Sequence, residues 1–260
     1  MTALLSLPMW LVGLIFIVGG AVIAVVAVFA LNPLVKRAHS EEHNTVFSNS
    51  FAAVATLFAI VAGLLVFAVV GAYDSASSSA SNEAATLRQM YQNAQVFPGP
   101  QKVQAEDAIT EYTKSVVADE YPLLADGKGS PKTGDALNNM FRVIGTMTPA
   151  PSWSDQYSEV SSKMTDVVAL RAARINASQP ALSPVYLFLL FFSAGVTVVC
   201  MSFLYMENRA MKCVAVSLMA MSLAAVLFLM VEVNSPFSGE ISVSTDVYTQ
   251  ALEAMAQIGR

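Results

Sequence analysis

The chain has 260 residues, of which 55% are hydrophobic and only 13% charged, where a water-soluble domain carries about 25% charged residues. A net charge of −5 with no basic tail argues against a nucleic-acid partner. The two cysteines, Cys200 and Cys213, fall in or beside apolar runs and read as small membrane residues, not as a redox or metal pair.

The first apolar run covers about 10–31. No charge precedes Lys36, and the run is too long for a cleaved leader, so it reads as a retained span. Pro33 is expected to limit its continuation. A polar loop follows over 32–46, and a second apolar run covers about 47–72. Each is long enough to cross a hydrocarbon core of about 30 Å as a helix, and lipid leaves the backbone no other partner than itself.

The loop holds both histidines of the chain. His39-Ser40-Glu41-Glu42-His43 matches the H-x-x-E-H pattern of some zinc proteases, which sets two imidazoles on one helical face with a carboxylate as base. A catalytic zinc needs a third protein ligand, which would have to be Asp or Glu. A hydrated turn and a polar pore mouth are the other two readings. We assign no metal or other cofactor here. Asn44 or Thr45 is expected to cap the second span, with Glu42 near the positive end of its dipole.

Residues 74–183 form a polar insertion in which we read four helices. The stretch 81–97 extends the second span outward, and Pro98-Gly99-Pro100 ends it. Residues 102–121 repeat apolar side chains at helical spacing. A loop over 125–134 leads to a shorter helix at 135–147, and 154–175 forms the last. Each exposes an apolar stripe alone, so together they bury it as a bundle.

Two further spans follow at about 185–206 and 212–231, with Pro184 in the first turn of the former. Small residues such as Gly19, Gly20, Gly63 and Gly195 let such helices approach closely. After the fourth span, 234–260 holds a turn and an amphipathic helix at 245–258, suited to a membrane surface or a neighbouring domain. The fold expected is therefore an all-α integral membrane protein with four transmembrane helices. A four-helix polar domain is inserted between the second and third, dividing the chain at 1–73, 74–183, 184–233 and 234–260. Lys36, Arg37, Arg209 and Lys212 lie in the two short loops. The positive-inside rule makes those loops cytoplasmic and the helical domain and both termini extracytoplasmic. Arg171 and Arg174, near the third span, oppose it.

Several short segments resemble the bestrophin-like family of bacterial membrane proteins. They are Glu42-His43-Asn44 at the foot of the second span, "NEAATLRQMY" (82–91), "EYTKSVVADEYPLL" (111–124), "ALRAARI" (169–175) and "VEVNSPFSGEISVS" (231–244). Tyr121 stands where the family more often has Trp, and Glu232 is spaced differently from the family's acid. The resemblance implies a relation to bestrophins, which are pentameric anion channels with cytosolic helical regions, and so the opposite orientation to the charge count.

One chain of four spans makes poor walls for a pore, so conduction would need a ring of copies. Candidate pore-lining residues are Glu42, His43 and Asn44 at one mouth and Glu232 at the other. Phe47 and Phe51, one turn apart, are candidates for an apolar constriction. Arg171 and Arg174 are candidates for concentrating anions at an entrance. The alternative is a non-enzymatic scaffold or accessory subunit with other membrane proteins as partners. No Ser-His-Asp set, glycine-rich phosphate loop or cysteine cluster points to an enzyme.

Overall fold

The computed structural model describes residues 8–37 and 40–259. Among them every regular element is helical. Two compact units are present: the described residues up to Val70 with Ala181–Asn234, and Gly71–Pro180 with the residues from Ser235 onward.

The first unit holds α1 (Met9–Arg37), the first part of α2 (Glu41–Ala94), α7 (Pro184–Ser202) and α8 (Arg209–Val233). All four helices are long and apolar enough to cross a membrane. Helices α1 and α8 run antiparallel, because Gly13 lies beside Phe228 and Gly20 beside Ala224. A Cβ on Gly20 would stand 2.9 Å from the Ala224 Cβ and 3.1 Å from the Ala220 carbonyl oxygen, so this contact requires a glycine. Ala24 and Val28 of α1, Val198 of α7, and Val216 and Ala220 of α8 form a small core. Many of the other apolar side chains of this unit face outward, with Phe67 at 81% and Ile23 and Phe188 at 67% exposure. In water such a surface would drive association. In lipid it is the solvated face.

Several boundaries differ from the sequence reading. Helix α1 continues through Pro33 to Arg37; a proline is tolerated there because neighbouring groups in membrane helices re-satisfy the freed carbonyl. Helix α2 starts at Glu41, capped by Ser40 and not by Asn44 or Thr45: Ser40 Oγ accepts from the His43 amide at 3.0 Å. Helix α7 stops at Ser202, short of 206, since the backbone after it is bonded elsewhere. Helix α8 begins at Arg209 under an Asn208 cap, with Oδ1 accepting from the amides of Ala210 and Met211 at 3.0 and 3.2 Å. At the other end of α8, Asn234 accepts from the amides of Ala181 and Leu182 at 2.9 and 2.7 Å. This ties the chain entering α7 to the chain leaving α8.

The second unit holds the rest of α2 with α3 (Gly99–Ser115), a π-helical turn (Val116–Glu120), α4 (Tyr121–Leu124), α5 (Pro131–Gly145), α6 (Ser154–Ala177) and α9 (Asp246–Ile258). Helix α5 starts four residues before the expected 135, because Ser130 caps it through the Thr133 amide (3.3 Å) and Pro131 fits its first position. Leu87, Met90, Ile109, Met140, Ile144, Val160 and Val167 fill the core. The C-terminal helix buries Tyr248, Ala251 and Met255 in that same core. Its apolar face is thus spent inside the chain's own helical unit.

Candidate functional site

The first turn of α2 is a clamp on the α7–α8 loop. His43 Nε2 lies 3.1 Å from the Phe203 carbonyl oxygen. Asn44 makes a two-point pair with one residue: Nδ2 donates to the Tyr205 carbonyl (3.1 Å), and Oδ1 accepts from the Tyr205 amide (2.8 Å). Phe47, one turn along, stacks on Phe203 with centroids 4.8 Å apart and planes at 16°. The His43 ring is also close to Phe47, with centroids 4.6 Å apart. A carboxamide matches both groups of a peptide unit at once. At a membrane rim this satisfies loop backbone that lipid could not.

Of the pore-lining candidates, the structure gathers His43, Asn44 and Phe47 at this clamp. Glu42 is exposed beside them and Phe51 half-buried one turn further. Glu232 lies in the last turn of α8, about 35 Å along the helix from Arg209 at 1.5 Å per residue. His39 lies outside the described residues. Among the described residues no three His, Cys, Asp or Glu side chains are arranged to hold a metal.

Arg171 and Arg174 are placed otherwise than expected. Arg174 is fully buried in the second unit. Its Nε donates to Glu83 Oε2 at 2.8 Å and its Nη2 to Glu120 Oε2 at 2.8 Å. Arg171 Nη2 and Nε bond Glu120 Oε1 at 2.5 and 3.1 Å, and Nη2 also donates to the Ser130 carbonyl at 3.0 Å. Tyr112 and Tyr248 each donate to Glu83, at 2.6 and 2.9 Å. The Arg174 guanidinium sits 5.7 and 5.6 Å from the ring centroids of Tyr121 and Tyr248. Two guanidiniums face two carboxylates. Their charge is internally balanced, so this pair of arginines is not a free positive entrance for anions.

Local sequence explains how the parts arrive. Arg171 and Arg174, three apart on α6, project from one face. Tyr112, Val116, Glu120 and Leu124 are all fully buried at a spacing of four. In a regular α-helix, at about 100° per residue, that spacing drifts by about 120° over three steps. The π turn at Val116–Glu120 takes up the excess and keeps Glu120 on the inner face. Asp119, next to it, points away to Ser115 Oγ (2.9 Å) and Lys132 (2.8 Å).

Burial alone would push the Glu120 carboxyl up, but the hydrogen bonds and charges of Arg171 and Arg174 outweigh it and hold it below its ordinary value. Burial, and then the Glu83 charge, raises the Tyr112 and Tyr248 hydroxyls well above theirs. Burial lowers the Arg174 guanidinium, and the surrounding charges and hydrogen bonds, those of Glu83 first and with Glu120 among them, together more than reverse this. These shifts keep Glu120 and Arg174 charged and the two phenols neutral at neutral pH.

Glu83, Tyr112, Glu120 and Tyr248 were not among the sequence candidates. A signal for three of them existed. The segments 82–91, 111–124 and 169–175, singled out for their resemblance, carry Glu83, then Tyr112 and Glu120, then Arg171 and Arg174. Segment 231–244 contributes Phe237, edge-on to Tyr121 at 5.7 Å, and the Ser244 carbonyl, which accepts from Tyr121. Only Tyr248 lies outside them.

The family description of a bestrophin-like domain matches residues 18–248. Among solved structures, a variant of a bacterial Bestrophin homolog from Klebsiella pneumoniae is similar with a TM-score of 0.73 at 12% identity, over 95% of this chain and 98% of that one. A second variant of that homolog gives 0.74 at 13% identity, over 95% and 97%. A further membrane-protein structure gives 0.74 at 13%, over 95% and 99%. No curated protein matches the sequence significantly. The matched span takes in the clamp and the whole ion cluster, and the chain belongs to the bestrophin-like family.

Proposed function

We propose that this protein assembles with copies of itself into a pore that conducts anions across the bacterial inner membrane. It crosses the membrane four times and carries its helical domain between the second and third spans. The observation that carries the reading is the extent of the likeness: a bestrophin-like fold covers nearly the whole of this chain and nearly the whole of a Bestrophin homolog. The outward apolar faces of α1, α2, α7 and α8 are consistent with it. In this reading Glu42, His43 and Asn44 stand at one mouth, Phe47 and Phe51 form an apolar constriction, and Glu232 stands at the other mouth. The buried arginines take a structural role in the helical domain. The cationic short loops face the cytoplasm. No enzymatic step is involved.

The test is chloride efflux from loaded liposomes containing the purified protein, beside protein-free liposomes. Efflux that falls in Glu232→Ala and His43→Ala protein of unchanged fold is the expected result. No efflux from folded, inserted protein overturns the reading in favour of a non-enzymatic scaffold for other membrane proteins.

A further inference from the structure

Helix α8 opens with a cation that the fold covers. Lys212, in its first turn, is 2% exposed. It stands one turn before Val216 on the buried face of α8, and Val216 packs among Ala24 and Val28 of α1 and Val198 of α7. Helical side chains lean toward the N-terminus of their helix, so the Lys212 ammonium is directed at the start of α8. No carboxylate forms an ion pair with it among the described residues, and no hydrogen bond takes its Nζ. Nζ, with no partner among the described residues, is not wholly sealed from the surface.

The surroundings repeat the sign. The first turn of α8 has no acid, and the positive end of the helix dipole lies there. Arg209 is exposed one turn away on the same helix. The antiparallel register of α1 and α8 carries Lys36 and Arg37, exposed at the end of α1, to this same end of the first unit. The acids Glu42 and Glu207 also lie at this end, exposed and without an ion pair to any of the four cations. A covered, unpaired ammonium in a membrane helix is unfavourable unless an anion joins it. The ends of spans lie at the depth of lipid phosphates.

We propose that Lys212 is the fixed charge of a phosphate-binding site at the loop end of the membrane helices, with Arg209, Lys36 and Arg37 as its rim. It takes a phosphate ester or phosphate ion, supplied by an anionic lipid headgroup or from solution. The site is independent of whether the chain conducts anions.

The full-length protein is placed in nanodiscs of phosphatidylcholine, with or without phosphatidylglycerol, and in phosphatidylcholine nanodiscs with inorganic phosphate at constant ionic strength. Thermal unfolding and acylation of Lys212, read by mass spectrometry, are followed. Phosphatidylglycerol or inorganic phosphate is expected to raise the unfolding midpoint and to slow acylation of Lys212 but not of Lys128, an exposed lysine of the second unit. A response to the lipid alone identifies the headgroup as the source; a response to both identifies phosphate in either form. Lys212→Met, of equal reach and no charge, is expected to weaken the apparent affinity about tenfold, as for one charge-assisted hydrogen bond. Lys212→Arg is expected to keep it. If neither addition protects Lys212 in the unmodified protein, or if the Met variant responds as fully as the parent, the site is disproved. The acylation readout decides the matter even if the Met variant does not fold.

Discussion

Arg174 and Glu83, 91 residues apart in the chain, meet as a fully buried ion pair with Nε and Oε2 2.8 Å apart. The pair joins α6 to α2 inside the helical unit. Glu83 also accepts from Tyr112 and Tyr248, so one carboxylate bonds side chains from three other helices. Such a group stabilises little against an apolar replacement of equal shape, but removing one partner strands a charge.

Arg174→Met is therefore expected to destabilise the protein by about 3–5 kcal/mol, because Glu83 and Glu120 stay buried without it. Adding Glu83→Gln to that variant is expected to recover part of the loss, since the two residues are coupled. Denaturant unfolding of the parent, both single variants and the double variant measures this. Additive losses would contradict it.

The cluster also sets a pH profile. The Glu120 carboxyl is held below its ordinary value of 4.5 in the folded protein. Its contribution is full above that value, declines as the pH falls below it, and is gone once the pH has fallen through the folded value. Tyr112 and Tyr248 are raised above 10.0. Their contribution is full below about pH 10 and declines as the pH rises beyond it, because the unfolded phenols ionise first. Unfolding midpoints across pH should fall at both ends. Glu120→Gln should flatten the acid limb while lowering stability at neutral pH.

The clamp predicts a graded result. Asn44→Ala removes both bonds to the Tyr205 backbone, at an expected cost of about 1–3 kcal/mol for each group left unsatisfied. Asn44→Asp keeps the acceptor for the Tyr205 amide and loses the donor to its carbonyl. Hydrogen exchange at the Tyr205 amide should be fast in the Ala variant and close to that of the parent in the Asp variant. Equal exchange in all three would mean that Asn44 does not hold the loop.

Two neighbouring glycines separate packing from composition. Gly20→Ala forces a Cβ against Ala224 and the Ala220 backbone, and overpacking of this kind costs about 1–3 kcal/mol. Gly19→Ala meets nothing within 4 Å and should be neutral or slightly stabilising. Thermal unfolding in detergent compares the two.

The four long apolar helices were legible because runs of this length have few other uses in a chain. Their ends were less so. Ser40 and Asn44 are both good caps by type, and only the bonds from Asn44 to Tyr205, 161 residues on, show that Asn44 was committed elsewhere. The same bonds explain why α7 stops early. The roles of Arg171 and Arg174 were hidden for a related reason. Their number and spacing predict one charged face of a helix, but whether it meets water or carboxylates depends on Glu83 and Glu120, which are 91 and 54 residues from Arg174. The C-terminal helix carries an apolar stripe in its sequence, yet such a stripe does not name what covers it. The resembling segments marked the parts of the cluster one by one; their meeting point was a property of the fold.

The π turn at Val116–Glu120 has a consequence for how this chain can change. It is a phase correction: one wide turn lets a four-residue repeat stay in step with the helices around it. Side chains before and after it are keyed to that step. A single-residue deletion there would rotate everything downstream and carry Glu120 away from both arginines, with every side chain of the cluster still present in the sequence. The length of this segment is therefore as much a determinant of the ion cluster as the residues that compose it.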